Sequence, residues 1–247
     1  MKNVVRLALL ATSIAWLSGC STVTDPSLAY QGESPATIFA RGKEALNDRS
    51  YTEAVKRFEA LDIQYPLYKD TEWAQLYLIY GYYKKEDYAL AQAAADRFIR
   101  LHPVSPYVDY AYYLRGLASF YQNMGVIEQL FRVDLAKRDL TQMKKAFTDF
   151  QTLVSRFPKS RYAPAAHQYL VYLRNMFAAH ELQVAQYYYD RKAYVAALNR
   201  ASDVVAHYQG APAVKDALGL MIQCYDAMKL PKLKADVETV YRLNYHA

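Results

Sequence analysis

The residue best equipped for covalent chemistry is Cys20. It follows a basic start (Lys2, Arg6), an apolar run from Val4 to Trp16, and the tripeptide Leu17-Ser18-Gly19. Its thiol is the only good soft nucleophile in that stretch, and the small residues before it leave room for a processing enzyme. Elsewhere the reactive groups lack catalytic spacing. The histidines at 102, 167, 180, 207 and 246 show no ligand pattern. There is no Gly-rich phosphate loop, no His-Glu-x-x-His and no Gly-x-Ser-x-Gly. Cys224 lies in the apolar stretch Leu220-Met221-Ile222-Gln223-Cys224-Tyr225 and reads as a small core residue. The sequence predicts no enzyme, no metal site and no cofactor.

The elements around these residues are bounded by composition. The chain has 247 residues, 53% hydrophobic, with 25 tyrosines, 9 phenylalanines and 2 tryptophans. That is enough apolar material for a core. Only 8 glycines and 9 prolines argue against a turn-rich sandwich or barrel and favour helices. Two cysteines exclude a disulfide scaffold. The net charge of +6 is small and mixed, so it does not point to nucleic acid.

Residues 1–19 read as a secretory signal, because the apolar run is too short for a stable membrane span. With Cys20 the segment resembles a bacterial lipobox. That resemblance implies S-diacylglycerol and N-palmitoyl groups on Cys20, the only prosthetic chemistry expected. Removal of Lys2 and Arg6 lowers the charge from +6 to +4 and leaves Cys224 as the sole thiol. Several acyl chains give firm anchoring where one is marginal. Ser21, where an Asp would signal inner-membrane retention, implies the outer membrane. Residues 20–35 lack apolar periodicity and read as a flexible tether with a reach of roughly 20 Å.

The remainder is repetitive. Pro66, Pro103 and Pro158 each terminate a helical pattern, and each is preceded twelve residues earlier by an alanine: Ala54, Ala91 and Ala146. Four residues after each alanine stands Phe58, Ala95 or Phe150. This resembles the tetratricopeptide repeat, a helix–turn–helix unit of about 34 residues. The expected fold is all-α, a right-handed superhelix of about five helix pairs. Three repeats occupy 36–158, with Gly42 and Gly116 at close-packing positions and about eighteen extra residues forming an insertion at 122–138. Two occupy 159–247: a long helix near Tyr162–Asp190 with Tyr194–Tyr208, then Ala213–Met228 with Leu230–Asn244. Ala197, Ala201 and Ala235 take the small positions. The insertion, with Val126, Ile127, Leu130, Phe131 and Val133, favours packing on the scaffold or on a partner. Lys137-Arg138 and Lys144-Lys145 read as a solvated face.

In tetratricopeptide arrays the first helix of each pair lines a concave groove. The equivalent positions here yield a candidate peptide-binding set: Phe39, Lys43, Trp73, Leu76, Tyr80, Tyr83, Lys84, Tyr110, Tyr113 and Tyr121. Tyrosine offers large contact area, few rotors to freeze and a polar tip. Tyr77 and Tyr112 fall off this face and read as packing residues.

Taken together, the chain resembles the BamD family of tetratricopeptide lipoproteins, earlier also described as competence lipoproteins. The resemblance rests on the lipobox, Gly42-x-x-Ala45-Leu46, Ala111-Tyr112-Tyr113-x-Arg115-Gly116, Arg138-Asp139, Phe157-Pro158-x-Ser160-x-Tyr162-Ala163, Val184-Ala185-x-Tyr187-Tyr188 and Ala193-Tyr194-x-Ala196-Ala197-x-Asn199-Arg200. The tyrosine-rich wording of Tyr82-Tyr83 and Tyr187-Tyr188-Tyr189 departs from it. The resemblance implies a scaffold of outer-membrane β-barrel assembly, lipid-anchored on the periplasmic face. Its partners would be the POTRA domains of BamA, met by Tyr187, Tyr188, Asn199 and Arg200, accessory Bam lipoproteins, and the C-terminal signals of unfolded barrel proteins. A periplasmic adaptor for peptidoglycan enzymes is the alternative. A DNA-uptake factor lacks the basic stripe it would need, and a muramidase lacks a catalytic glutamate motif.

Overall fold

The computed structural model describes residues 25–122 and 139–245. Among them are ten helices: α1 (Pro35–Asn47), α2 (Tyr51–Gln64), α3 (Thr71–Lys84), α4 (Tyr88–Leu101), α5 (Val108–Gln122), α6 (Thr141–Arg156), α7 (Ala163–Asp190), α8 (Tyr194–His207), α9 (Ala213–Ala227) and α10 (Pro231–Asn244). No strand occurs among the described residues. The helix pairs expected from the proline and alanine spacing form with boundaries shifted by only a residue or two. Cys20 and most of the insertion at 122–138 lie outside the described residues.

Four of the hairpins close in the same way. Arg49, Glu86, Lys192 and Lys229 adopt positive φ, between 58° and 63°. The amide of the next residue reaches back to a carbonyl five residues earlier, as from Ser50 to Ala45 and from Asp87 to Tyr82. This left-handed cap satisfies carbonyls that the helix end would leave bare. Between pairs a different stop operates. Tyr65, His102 and Phe157 leave the helical region, as residues before proline must, and Pro66, Pro103 and Pro158 follow.

The chain divides at Tyr77/Leu78, within α3, into two compact units, a boundary distinct from the 158/159 division between repeat arrays that the repeat spacing predicts. In the first unit α1 packs on α2. Gly42 lets the helices touch: a Cβ there would lie 2.8 Å from the Phe58 ring. Phe58 in turn packs on Tyr77, with ring centroids 5.5 Å apart. The second unit repeats this trio. A Cβ on Gly116 would lie 2.7 Å from Phe150, and Phe150 stacks on Tyr169 at 4.9 Å. The spacings agree once the insertion is removed. Phe58 follows Gly42 by 16 and Phe150 follows Gly116 by 34, a difference of 18, while the tyrosine follows by 19 in both. In the intervening repeat the same register places Ile79, Ala95 and Leu114, all at most 2% exposed. Bulk on one helix is exchanged for bulk on its partner, so the volume between helices stays filled.

Beyond this, α7 runs for 28 residues and packs on α8 and α9. Ala185, Ala197, Ala201 and Cys224 are fully buried there, as small residues at close helix contacts should be. Ala235 is exposed and does not serve as a small contact position.

The segment 25–34 corrects the tether reading. Gln64 Nε2 donates to the carbonyls of Pro26 and Ala29 at 2.8 and 2.7 Å. Tyr30 donates its hydroxyl to Glu53 at 2.9 Å, and the Arg57 guanidinium lies 4.1 Å from its ring. Tyr65 reaches the Glu33 carbonyl, Arg57 pairs with Glu33, and Ala29 is buried. These ten residues form a strap seated on α2. Apolar periodicity could not reveal it, because side-chain hydrogen bonds to turn carbonyls carry most of the seating.

Candidate functional site

The aromatic positions of the first unit are largely consumed by packing. Phe39 lies 6.1 Å from both Phe58 and Tyr77, and Trp73 stacks on Tyr77 at 5.9 Å. Trp73 keeps 37% of its surface exposed, and Lys43 extends over the Phe39 ring at 5.7 Å. Leu76 is only 1% exposed and belongs to the interior, not to an open face. Position alone could not separate it from Trp73, because both fall on the same helical stripe.

The second unit holds the larger assembly. Tyr83, Tyr88 and Tyr121 contact one another at 6.1–6.3 Å between centroids. The hydroxyls of Tyr121 and Tyr169 are 3.4 Å apart, and Phe120 packs edge-on against both rings. From Phe150 the series continues to Tyr113, which stacks on Tyr162 at 5.0 Å, as does Tyr110. Helices α3 to α7 each contribute to this row. All its tyrosines are half-buried. Burial pushes the hydroxyls of Tyr83, Tyr113, Tyr162 and Tyr169 above their usual range, so they remain neutral donors at physiological pH. Such a surface presents ring faces with polar tips and no net charge. Tyr80 is half-buried and Lys84 exposed on α3.

Sequence register brought Tyr83, Tyr110, Tyr113 and Tyr121 to this row and missed Tyr88, Tyr162 and Tyr169. Tyr88 opens a second helix and Tyr162 precedes the long one, so neither falls on a groove position. Tyr169 could have been found, because it stands to Phe150 as Tyr77 stands to Phe58. Tyr112 is 8% exposed and packs on Phe157, in keeping with its reading as a packing residue.

Beside the row lies a charged knot. Arg115 donates to Asp96 and to Asp149, and its Nε lies 3.0 Å from Asp149 Oδ1. Asp149 is 5% exposed, and burial raises its carboxyl pKa against the opposing pull of Arg115. A cleft of about 520 Å3 opens here, with Lys144 and Lys145 on its rim. Among the described residues no cluster of three His, Cys, Asp or Glu could hold a metal ion.

The C-terminal candidates sit on α7 and α8. Tyr187 is 52% exposed, capped by the Arg191 guanidinium at 3.5 Å. Tyr188 instead packs partly against the local core. Asn199 is exposed and borders an apolar cleft with Val195 and Met228. Arg200 is exposed, and one of its nitrogens is already 2.9 Å from Glu181. Its fork is therefore part-occupied within the chain, a constraint that sequence could not supply.

Cys224 is completely buried and its thiol pKa is raised by burial, which makes it a packing residue. No described helix is long and apolar enough to cross a membrane.

Comparison with known proteins completes the description. Residues 31–240 match the YfiO family, described as outer membrane lipoprotein. The outer membrane protein assembly factor BamD of Neisseria meningitidis serogroup B is 35% identical over 245 residues, covering 99% of this chain and 92% of that protein. BamD of Vibrio cholerae is 33% identical over 244 residues, covering 99% of each. The BamD of Haemophilus influenzae is 34% identical over 244 residues, 99% of this chain and 92% of its own. With the paired helices, the repeated Gly–Phe–Tyr trio and this end-to-end similarity, the chain belongs to the BamD family of outer membrane lipoproteins, a tetratricopeptide fold that serves outer membrane protein assembly.

Proposed function

We propose that this chain is a non-catalytic scaffold, anchored to the periplasmic face of the outer membrane through acyl groups on Cys20. It presents unfolded barrel proteins to BamA. The observation that carries the reading is the half-exposed tyrosine row from Tyr88 to Tyr110. Ring faces with neutral hydroxyl tips suit a strand-like segment whose alternate side chains are aromatic, since each pocketed ring gains contact area while backbone groups keep donors within reach. The contribution of Trp73, Lys43 and Phe39 is a second aromatic patch on the first unit. Tyr187, Asn199 and Arg200 remain the residues for docking the POTRA domains of BamA, supported by their exposure at the C-terminal helices. Accessory Bam lipoproteins complete the assembly, and no nucleotide or cofactor takes part.

The test is binding of a synthetic C-terminal barrel-strand peptide ending in phenylalanine, followed by fluorescence anisotropy. Loss of one well-placed aromatic contact weakens binding by about tenfold. Replacing Tyr80, Tyr83 and Tyr113 together by leucine, which preserves most packing volume, should weaken it further while the helical circular dichroism is retained. Undiminished binding by a folded triple variant refutes the assignment.

A further inference from the structure

The strap and the end of α2 leave three large apolar side chains in solvent. Leu28 is 61% exposed, Ile63 53% and Leu67 97%. They gather at one end of the α1–α2 hairpin. Gln64, next to Ile63, holds the carbonyls on both sides of Leu28, and Leu67 follows Gln64 by three residues across the proline stop. The opposite end of the hairpin is the polar turn Asp48-Arg49-Ser50, exposed and about 20 Å away along α2.

We infer that this apolar end of the first unit is a membrane-contact face, and that Leu28, Ile63 and Leu67 enter the boundary between lipid headgroups and acyl chains. The inference rests on the reading of Cys20 as the acylated residue. Because the strap is seated from Asp25 onward, four residues, 21–24, lie between Cys20 and folded structure, five Cα-to-Cα steps in all. Fully extended they span at most about 18 Å, and as a relaxed coil roughly 12 Å. The headgroup layer itself is about 7 Å deep. The end bearing the strap is therefore confined to the neighbourhood of the lipid surface, while the Asp48 end stands a hairpin's length further away. Three exposed aliphatic side chains at the confined end are where interfacial burial is available to them. Lys69, exposed beside Leu67, supplies a cation for anionic headgroups.

The test uses the full acylated protein in vesicles of phosphatidylethanolamine and phosphatidylglycerol. Cys20 is blocked by acylation and Cys224 is buried, so single introduced thiols can be labelled with an environment-sensitive dye. Leu67→Cys is the reporter and Asp48→Cys the control; both sites are exposed, so neither label threatens the fold. Nitroxides placed at the headgroup and shallow acyl positions should quench the Leu67 label several-fold more than the Asp48 label. Equal quenching, with both proteins floating with the vesicles, overturns the contact face while leaving the anchor intact. So does a Leu67 label that is shielded only in native outer-membrane fragments, which assigns the patch to a protein. If neither protein floats, and mass spectrometry finds Cys20 unmodified, the anchor reading itself fails and the contact face falls with it.

Discussion

Gly116 and Gly219 are both glycines inside helices, yet the structure assigns opposite signs to their replacement by alanine. At Gly116 the new methyl would lie 2.7, 2.9 and 3.0 Å from three carbons of the Phe150 ring. The ring would have to retreat by about 0.7 Å to reach ordinary contact. It has nowhere to go, because Phe150 is fully buried and Tyr169 stacks on it at 4.9 Å. That puts the site at the upper end of the overpacking range, about 2–3 kcal/mol. The better helix propensity of alanine returns roughly 1 kcal/mol, so Gly116→Ala should lose about 1–2 kcal/mol. At Gly219 nothing lies within 4 Å of the added methyl, and only the propensity gain remains. For a chain of this size 1 kcal/mol moves the midpoint by roughly 2–4 °C. Thermal unfolding followed at 222 nm should place Gly116→Ala several degrees below the parent and Gly219→Ala a few degrees above it. The sharper measurement is the background Phe150→Ala. There the same Gly116→Ala methyl fills vacated space and should become stabilising. If Gly116→Ala destabilises equally with and without the Phe150 ring, the close-packing argument is wrong.

Two further outcomes follow from charged groups. Arg115→Met strands Asp149 without its partner and should cost about 3 kcal/mol at neutral pH. Burial already raises the Asp149 carboxyl pKa, and loss of Arg115 removes most of what opposes that rise, leaving only the weaker pull of Lys145. The folded state then holds the proton more tightly than the unfolded state, so the deficit relative to the parent should shrink as pH falls through the raised value toward the ordinary carboxylate range near 3.9. A deficit independent of pH, read from paired urea titrations, would contradict this. Arg200→Glu exchanges an exposed ion pair with Glu181 for a repulsion. It should alter stability by less than about 1 kcal/mol yet reduce co-purification with BamA from detergent extracts. An undiminished complex would remove Arg200 from the docking surface.

The helices were legible because their signals are local and periodic. Prolines mark the stops between pairs, alanines mark the close contacts, and Gly42 and Gly116 mark where a ring must enter. What escaped depends on partners distant in sequence. Nothing about Gln64 announces that its amide will hold two turn carbonyls nearly forty residues earlier, so the strap read as loose chain. Leu76 and Trp73 share a helical stripe, and only packing decides that one is interior and the other half in solvent. Tyr88 and Tyr162 join the tyrosine row from helix starts, where a rule for first-helix faces has no reach. Arg115 resembled a motif residue in sequence, and its two carboxylate partners became visible only with α4, α5 and α6 in place.

The Gly–Phe–Tyr trio also determines what the insertion costs. The contact between Gly116 and Phe150 closes the α5–α6 hairpin as tightly as Gly42 and Phe58 close α1–α2, although 18 residues rather than 3 join the helices. Loop-closure entropy for that sixfold difference is only about 1.6 kcal/mol, and it grows by a few tenths for each further handful of residues. Extra length between Gln122 and Asp139 therefore costs the α5–α6 hairpin little. A segment added at this junction would leave the helices on either side in register, because the Gly116–Phe150 contact, and not the length of the connection, sets how they meet.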